Sequence, residues 1–132
     1  FTNTLLSRNV TSGRTYTFDL SLFISQTVAI DGWKIDFAGG TAAATNFVVH
    51  ADSTAETGIV VTLANATSAA LATVINATTT VTTGGQTIRC EGSFVPSTSG
   101  TFIVRAGLNS ITTGVLTIKR GSFLVMRDTT AL

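Results

Sequence analysis

The alternation of apolar and polar side chains that begins near residue 15 constrains the fold of this chain more than any other feature. Tyr16, Phe18, Leu20, Leu22 and Ile24 share one parity, and polar residues fill three of the four positions between them. A period of two places the apolar set on one face of a β-strand whose other face meets water. Residues 15–24 are therefore predicted to form a half-buried strand.

Seven further segments have strand-like patterns and are separated by turn signals such as paired glycines. The predicted strands are residues 30–38, 42–51, 59–63, 87–95, 101–108, 115–119 and 122–126. Residues 64–77 are less regular: their many Thr and Asn residues favour irregular structure, although the apolar spacing leaves a short helix open. About eight short strands with regularly spaced turns predict an all-β fold, a jelly-roll-like two-sheet sandwich.

The composition bounds the domain organisation and the partners. The 132 residues show no compositional break, which predicts one domain over residues 1–132, with residues 1–14 as an extended N-terminal arm. The net charge of +1 gives nucleic acid no electrostatic attraction. No uninterrupted apolar stretch reaches the 18 or so residues that a membrane-spanning helix needs. We therefore expect neither nucleic acid nor a membrane as a partner.

Several predicted strands are apolar on both faces, which is unusual for a sandwich. Residues 23–24, 47–49, 102–104 and 123–126 are the clearest cases. Because each sheet buries one face, one set of these side chains would be exposed, and this favours a homo-oligomer. The alternative is that loops of the same chain cover them. The apolar candidates, divided between core and interface in a way the sequence leaves open, are Phe23, Phe47, Val49, Ile103, Leu124 and Met126.

A group of charged residues has two interpretations. Arg89 and Glu91 share one face of a predicted strand, and Arg105 lies on a nearby strand. They form either solvated cross-strand ion pairs or a charged layer at a subunit interface. Cys90 has the opposite parity and is in register with Ile88, which predicts a buried and unreactive thiol.

Residue types that carry catalysis or bind metals are scarce. His50 is the only His, and although Asp52 shares its strand face, neighbours of this kind arise by chance in a polar chain. Asp31 and Asp36 have opposite parity, which argues against a carboxylate calcium site. We predict no catalytic residue, no metal site and no cofactor.

Three segments resemble a known family. Residues 30–41 (IDGWKIDFAGGT), the pair 92–95 and 99–102, and residues 120–126 (RGSFLVM) resemble strand and turn motifs of small β domains in bacteriophage structural proteins. Those domains look like the trimeric jelly rolls of the tumour-necrosis-factor and complement-like superfamily. The resemblance covers most of residues 15–127. It implies a homotrimer on the surface of the extracellular virion, as a head decoration protein, a head fibre, a fibre tip or a tail-associated knob.

These expectations lead to one principal hypothesis and two alternatives. The chain is expected to be a non-enzymatic virion structural module that trimerises and contacts a capsid, fibre or tail protein. One alternative is the receptor- or glycan-binding tip of a tail fibre or tailspike, with recognition carried by loops at residues 52–58 and 96–100. The other is a secreted cytokine-like ligand, which glycans at Asn9, Asn65 or Asn76 would support.

Overall fold

The protein is described by a computed structural model that covers residues 2–28, 31–38, 42–55, 60–68, 71, 74–77, 84–110 and 113–131. The strands are β1 (Thr2–Val10), β2 (Tyr16–Gln26), β3 (Trp33–Ala38), β4 (Ala43–Ala55), β5 (Val60–Ser68), β6 (Ile75–Ala77), β7 (Gly84–Thr98), β8 (Gly100–Leu108), β9 (Leu116–Ile118) and β10 (Phe123–Asp128). Within these ranges, no helix is long and apolar enough to cross a membrane.

The strands form two antiparallel sheets that pack as a sandwich. The four-stranded sheet has the order β1-β8-β3-β6, and the six-stranded sheet has the order β10-β2-β7-β4-β5, with β9 also pairing with β2. Along β1 to β8 the chain changes sheet at every step except from β4 to β5. Winding of this kind is that of a jelly roll. The predicted all-β, jelly-roll-like sandwich is confirmed.

The core between the sheets is built from one parity of each strand. Burial in β2 alternates without exception from Tyr16 to Gln26, as its sequence pattern predicts. Phe18 from β2 meets Phe37, Phe47, Phe94 and Phe102 from four other strands, with ring centroids 5.1 to 6.2 Å apart. Such pairs contribute about 0.5–1.5 kcal/mol each beyond their area burial. One aromatic cluster therefore joins both sheets.

A glycine in β7 makes room for this cluster. Gly92 lies opposite Phe18 on β2 and opposite Val49 on β4. A Cβ at Gly92 would overlap the backbone oxygen of Val48 and would stand 2.7 Å from two ring carbons of Phe18. The Phe18 ring therefore occupies the space that a side chain at position 92 would need.

The N-terminal residues differ from the expected arm. Residues 2–10 form β1, an edge strand that pairs with β8. Three residues of β1, from Thr4 to Leu6, oppose the single residue Val104, which makes a bulge. The Thr4 hydroxyl donates to the Val104 carbonyl oxygen at 2.9 Å and accepts from the Leu6 amide at 3.2 Å. The side chain thus replaces hydrogen bonds that the bulge removes from the ladder.

The middle of the chain also contains more strand than expected. Strand β5 continues to Ser68, and residues 75–77 form β6. Residues 64–68 and 75–77 are therefore strand and not helix or irregular structure. Pairing of β5 with β4 and of β6 with β3 supplies partners that local propensity does not reveal. Residues 69, 70, 72 and 73 of this predicted segment, with 78–83 beyond it, lie outside the described residues.

Candidate functional site on the outer face of the six-stranded sheet

The outer face of the six-stranded sheet carries a row of four side chains across four strands, and three of the four are ionisable. Asp19 on β2 lies opposite Val125 on β10 and opposite Glu91 on β7. Glu91 in turn lies opposite His50 on β4. The parity that buries the core in these strands turns all four side chains outward, because successive residues alternate between faces.

A second row runs parallel to the first. Phe123 on β10 lies opposite Ser21 on β2, and Ser21 lies opposite Arg89 on β7. Arg89 lies opposite Asp52 on β4. The prediction that His50 and Asp52 share one strand face is confirmed, and both lie within β4 rather than in a loop.

The two rows line a groove. One depression of about 470 Å³ is lined by Asp19, Leu20, Ser21, His50, Asp52, Arg89, Cys90, Glu91 and Phe123. A neighbouring depression of about 400 Å³ shares Asp19, His50 and Glu91 with the first and adds Val48 and Arg127. The groove therefore crosses β10, β2, β7 and β4.

The groove contains both acidic and basic groups, and several of them lie opposite each other. Arg127 Nη1 lies 2.5 Å from Asp19 Oδ2, and both side chains are about half exposed. Asp52 faces Arg89, and Glu91 faces His50 across the ladder. Asp19 and Glu91 are like charges directly opposite each other, an unfavourable arrangement that the Arg127 guanidinium offsets.

The predicted charged group is divided by the fold. Arg89 and Glu91 are exposed on the six-stranded sheet, whereas Arg105 belongs to the four-stranded sheet. Within one chain the three side chains therefore do not share a sheet, because β7 and β8 lie in different sheets although only Ser99 separates them. A charged layer at a subunit interface stays a prediction.

Arg105 has a different partner. Its Nε donates to Asp36 Oδ1 at 2.7 Å, and its Nη2 donates to Asp36 Oδ2. The Asp36 side chain is 2% exposed and that of Arg105 is 31% exposed. The hydrogen bond to Asp36 raises the pKa of the Arg105 guanidinium, and burial opposes this shift. The pair is bidentate and structural.

The predicted apolar candidates fall into two groups, according to which face of their strand they occupy. Phe47, Val49 and Leu124 are core residues of a single chain, and Met126 packs partly buried against that core. Phe23 and Ile103 point away from the core and are half-buried.

Several exposed apolar side chains are absent from the candidates that the sequence suggests. Phe123 and Val125 are 46% and 38% exposed, and Val48 is 45% exposed. Because residues 123–126 are all apolar, only the register against β2 decides which parity faces outward. Leu5 is 92% exposed at the crest of the β1 bulge, with φ at 68°. Its position could not be found from the sequence, since the bulge depends on pairing with β8.

The groove includes Cys90 beside its histidine and acidic side chains. The predicted burial of Cys90 is confirmed, and this burial raises the pKa of its thiol. In the part of the chain that the structure describes, no group of three or more His, Cys, Asp or Glu is arranged to hold a metal ion. What the face offers is an array of hydrogen-bonding groups beside an exposed aromatic ring.

The fold and the face define the protein as a jelly-roll-like β-sandwich with a polar groove on one outer face. No protein-family model matches the chain, and comparison with curated proteins and with solved structures also found no match.

Proposed function

We propose that the protein is a non-enzymatic structural module of a bacteriophage virion, of the capsid-decoration or head-fibre type. It assembles as a homotrimer and contacts a capsid, fibre or tail protein on the particle surface. The observation that carries the proposal is Leu5, an apolar side chain displayed at 92% exposure on a strained backbone. The phage setting rests on the resemblance of residues 30–41, 92–95, 99–102 and 120–126.

Leu5 is costly for an isolated chain. A positive φ at a bulky residue costs on the order of 1–3 kcal/mol, and strain of this kind clusters where a protein makes functional contacts. The Thr4 hydroxyl holds the bulge in place through its bonds to Val104 and Leu6. The bulge is therefore a built feature whose outcome is an exposed leucine.

The surroundings of Leu5 suit a protein contact. Ile103 lies opposite Ser7 at the end of the bulge and faces outward on the same sheet. Phe123 and Val125, in contrast, stand in rows with ionisable groups, and the centres of protein interfaces are depleted in charge. We therefore assign assembly to the β1 edge and the outer face of the four-stranded sheet.

Substitution of Leu5 by Asn tests this proposal. Asn tolerates positive φ better than Leu, so Leu5→Asn leaves the folding stability of the single subunit equal or higher. It removes the apolar contact and is expected to convert trimer to monomer in size-exclusion chromatography with light scattering. Val115→Asn, at a site 58% exposed before β9, is the matched control and stays trimeric.

Two results would count against the proposal. A wild-type protein that is monomeric at high concentration removes the assembly function. A Leu5→Asn trimer as tight as the wild type removes the role of the bulge, and Ile103→Asp then tests the remaining part of the same face. We expect Ile103→Asp to yield monomer or aggregate.

The second candidate function is the receptor- or glycan-binding tip domain of a tail fibre or tailspike. The predicted recognition loops are largely strand, since β4 continues to Ala55 and β7 to Thr98. The observation that favours this function is instead the groove on the six-stranded sheet. Excess free protein is expected to block adsorption of a phage that carries it, and unimpaired adsorption would remove this candidate.

A further inference from the structure

We propose that the groove on the six-stranded sheet binds a neutral oligosaccharide. Phe123 stacks against a sugar ring, while Glu91, His50 and Arg89 hydrogen-bond its hydroxyl groups. The inference rests on the second candidate function and deepens it, because it names the ligand class and the residues that bind it. It is independent of the trimer.

The shape of the groove suits an extended ligand. Its two depressions, of about 470 and 400 Å³, overlap at Asp19, Glu91 and His50 and run across four strands. Sites for small molecules are usually clefts of about 300–1,000 Å³ with a few placed polar groups. A groove that crosses a sheet can hold consecutive units of a chain.

The charges of the groove favour a ligand without net charge. Two of the three lining carboxylates have a guanidinium neighbour: Arg127 lies 2.5 Å from Asp19, and Arg89 faces Asp52, while Glu91 faces His50. An anion would meet three carboxylates against two guanidinium groups, and most of the negative charge that a cation needs is already paired. A polyhydroxyl ligand, in contrast, can donate to carboxylates and accept from a guanidinium at the same time.

Phe123 supplies the apolar part of the site. Its ring is 46% exposed at the rim of the groove, on the edge strand β10. In the second row Phe123 is adjacent to Ser21, and Arg89 follows on the next strand. The C–H face of a sugar ring is apolar, and an aromatic ring beside hydrogen-bonding groups matches both of its surfaces. Val125 extends this rim along the same strand.

The site is also held in place before a ligand arrives. Glu91 and Arg89 stand on β7, which pairs with β2 and β4 on its two sides over most of its length. A ladder on both sides fixes the spacing between the side-chain rows. Binding therefore orders few groups, which preserves affinity.

An oligosaccharide array tests the inference. The full-length chain is applied to neutral and acidic oligosaccharides, and the best-bound neutral one is titrated by calorimetry. Phe123→Ala and Glu91→Gln are each expected to weaken binding about tenfold, equivalent to loss of one stacking or charged hydrogen-bond contact. The controls are Val115→Ala and Asp128→Asn, which lie outside the groove and are expected to bind as the wild type does.

The outcomes separate the inference from the function on which it rests. Binding that survives both groove variants, or that is confined to acidic oligosaccharides, overturns the groove assignment while glycan recognition stands. Blocking of adsorption without oligosaccharide binding overturns the ligand class while receptor binding stands. If the protein neither binds an oligosaccharide nor blocks adsorption, the second candidate function is wrong as well.

Discussion

The two outer faces of the sandwich carry ion pairs of the same chemistry in opposite surroundings. On the four-stranded sheet, Asp36 is 2% exposed and takes both of its hydrogen bonds from Arg105. On the six-stranded sheet, Asp19 and Arg127 form a pair with side chains 49% and 60% exposed. Asp36 lies directly opposite Arg105 on the neighbouring strand, and Asp19 and Arg127 lie on the adjacent strands β2 and β10. Sequence and pleat geometry alone would therefore assign the two pairs equal importance for stability.

The difference shows that burial decides what an ion pair does. Exposed pairs contribute about 0–1 kcal/mol, because water competes with both partners. A buried pair need not stabilise the fold relative to apolar residues, but loss of one partner leaves the other charge buried and uncompensated. The Asp36–Arg105 pair is therefore structural, whereas the six-stranded face keeps side chains that can exchange water for a ligand.

Removal of the buried carboxylate gives the largest expected effect. Asp36→Ala leaves the Arg105 guanidinium partly buried without its bidentate partner, and the free energy of unfolding should fall by about 3 kcal/mol. Water can reach Arg105, which is 31% exposed, so the low end of the usual range applies. Urea denaturation measures the loss, with Asp19→Ala as the exposed control. Equal losses for the two variants would erase the contrast between the faces.

Replacement of Arg105 by Lys sharpens the comparison. The charge is kept, but the planar fork that gives two parallel hydrogen bonds is lost, so we expect a loss of about 1–2 kcal/mol. Arg127→Lys on the other face is the matched control and should be nearly neutral. If Arg105→Lys is also neutral, the buried pair acts through charge alone.

Loss of the exposed arginine should have a smaller effect. Arg127→Gln leaves Asp19 and Glu91 opposed without a countercharge, and we expect a loss of about 0.5 kcal/mol. Added NaCl should reduce this loss, because salt screens exposed charges. The double variant Asp19→Asn, Arg127→Gln should recover it. A loss that does not respond to salt would indicate a packing role for Arg127.

The smallest effect concerns a third pair, at the end of β10. Hydrogen bonds from Thr130 and then from Arg14 lower the pKa of Asp128 from 3.8 to about 2. A lowered pKa adds stability above the unfolded value, and this stability is lost as the pH falls from about 4 to about 2. The melting temperature of the wild type should decline more steeply than that of Asp128→Asn in this window. Parallel declines would contradict the shift.

The sequence was informative wherever one parity was apolar and the other polar. The alternation in residues 15–24 predicted the buried face of β2, and the register of Cys90 with Ile88 predicted its burial. In each of these strands, the pattern of apolar residues is enough to predict which face is buried, because the hydrophobic effect favours burial of the apolar face. The all-β sandwich followed from the same signal.

The sequence failed where orientation depends on a partner strand. Residues 123–126 are apolar at every position, so the sequence names Leu124 and Met126 without deciding between core and interface, and the structure places Phe123 and Val125 on the outward face. Arg89 and Arg105 lie on strands that are consecutive in the sequence, but the chain crosses between the two sheets at Ser99, and no local pattern marks that crossing. The groove crosses four strands, and its residues come together only through the register between those strands.

The pairing of β1 with β8 determines when the four-stranded sheet can be completed. Thr2 lies beside Ala106, and Val10 lies beside Gly100. A chain emerging from the ribosome cannot close its four-stranded sheet until residues 100–108 have been made, so β1 stays unpaired while residues 11–99 are synthesised. Closure over such a long loop is slow, and we expect it to be the late step of folding.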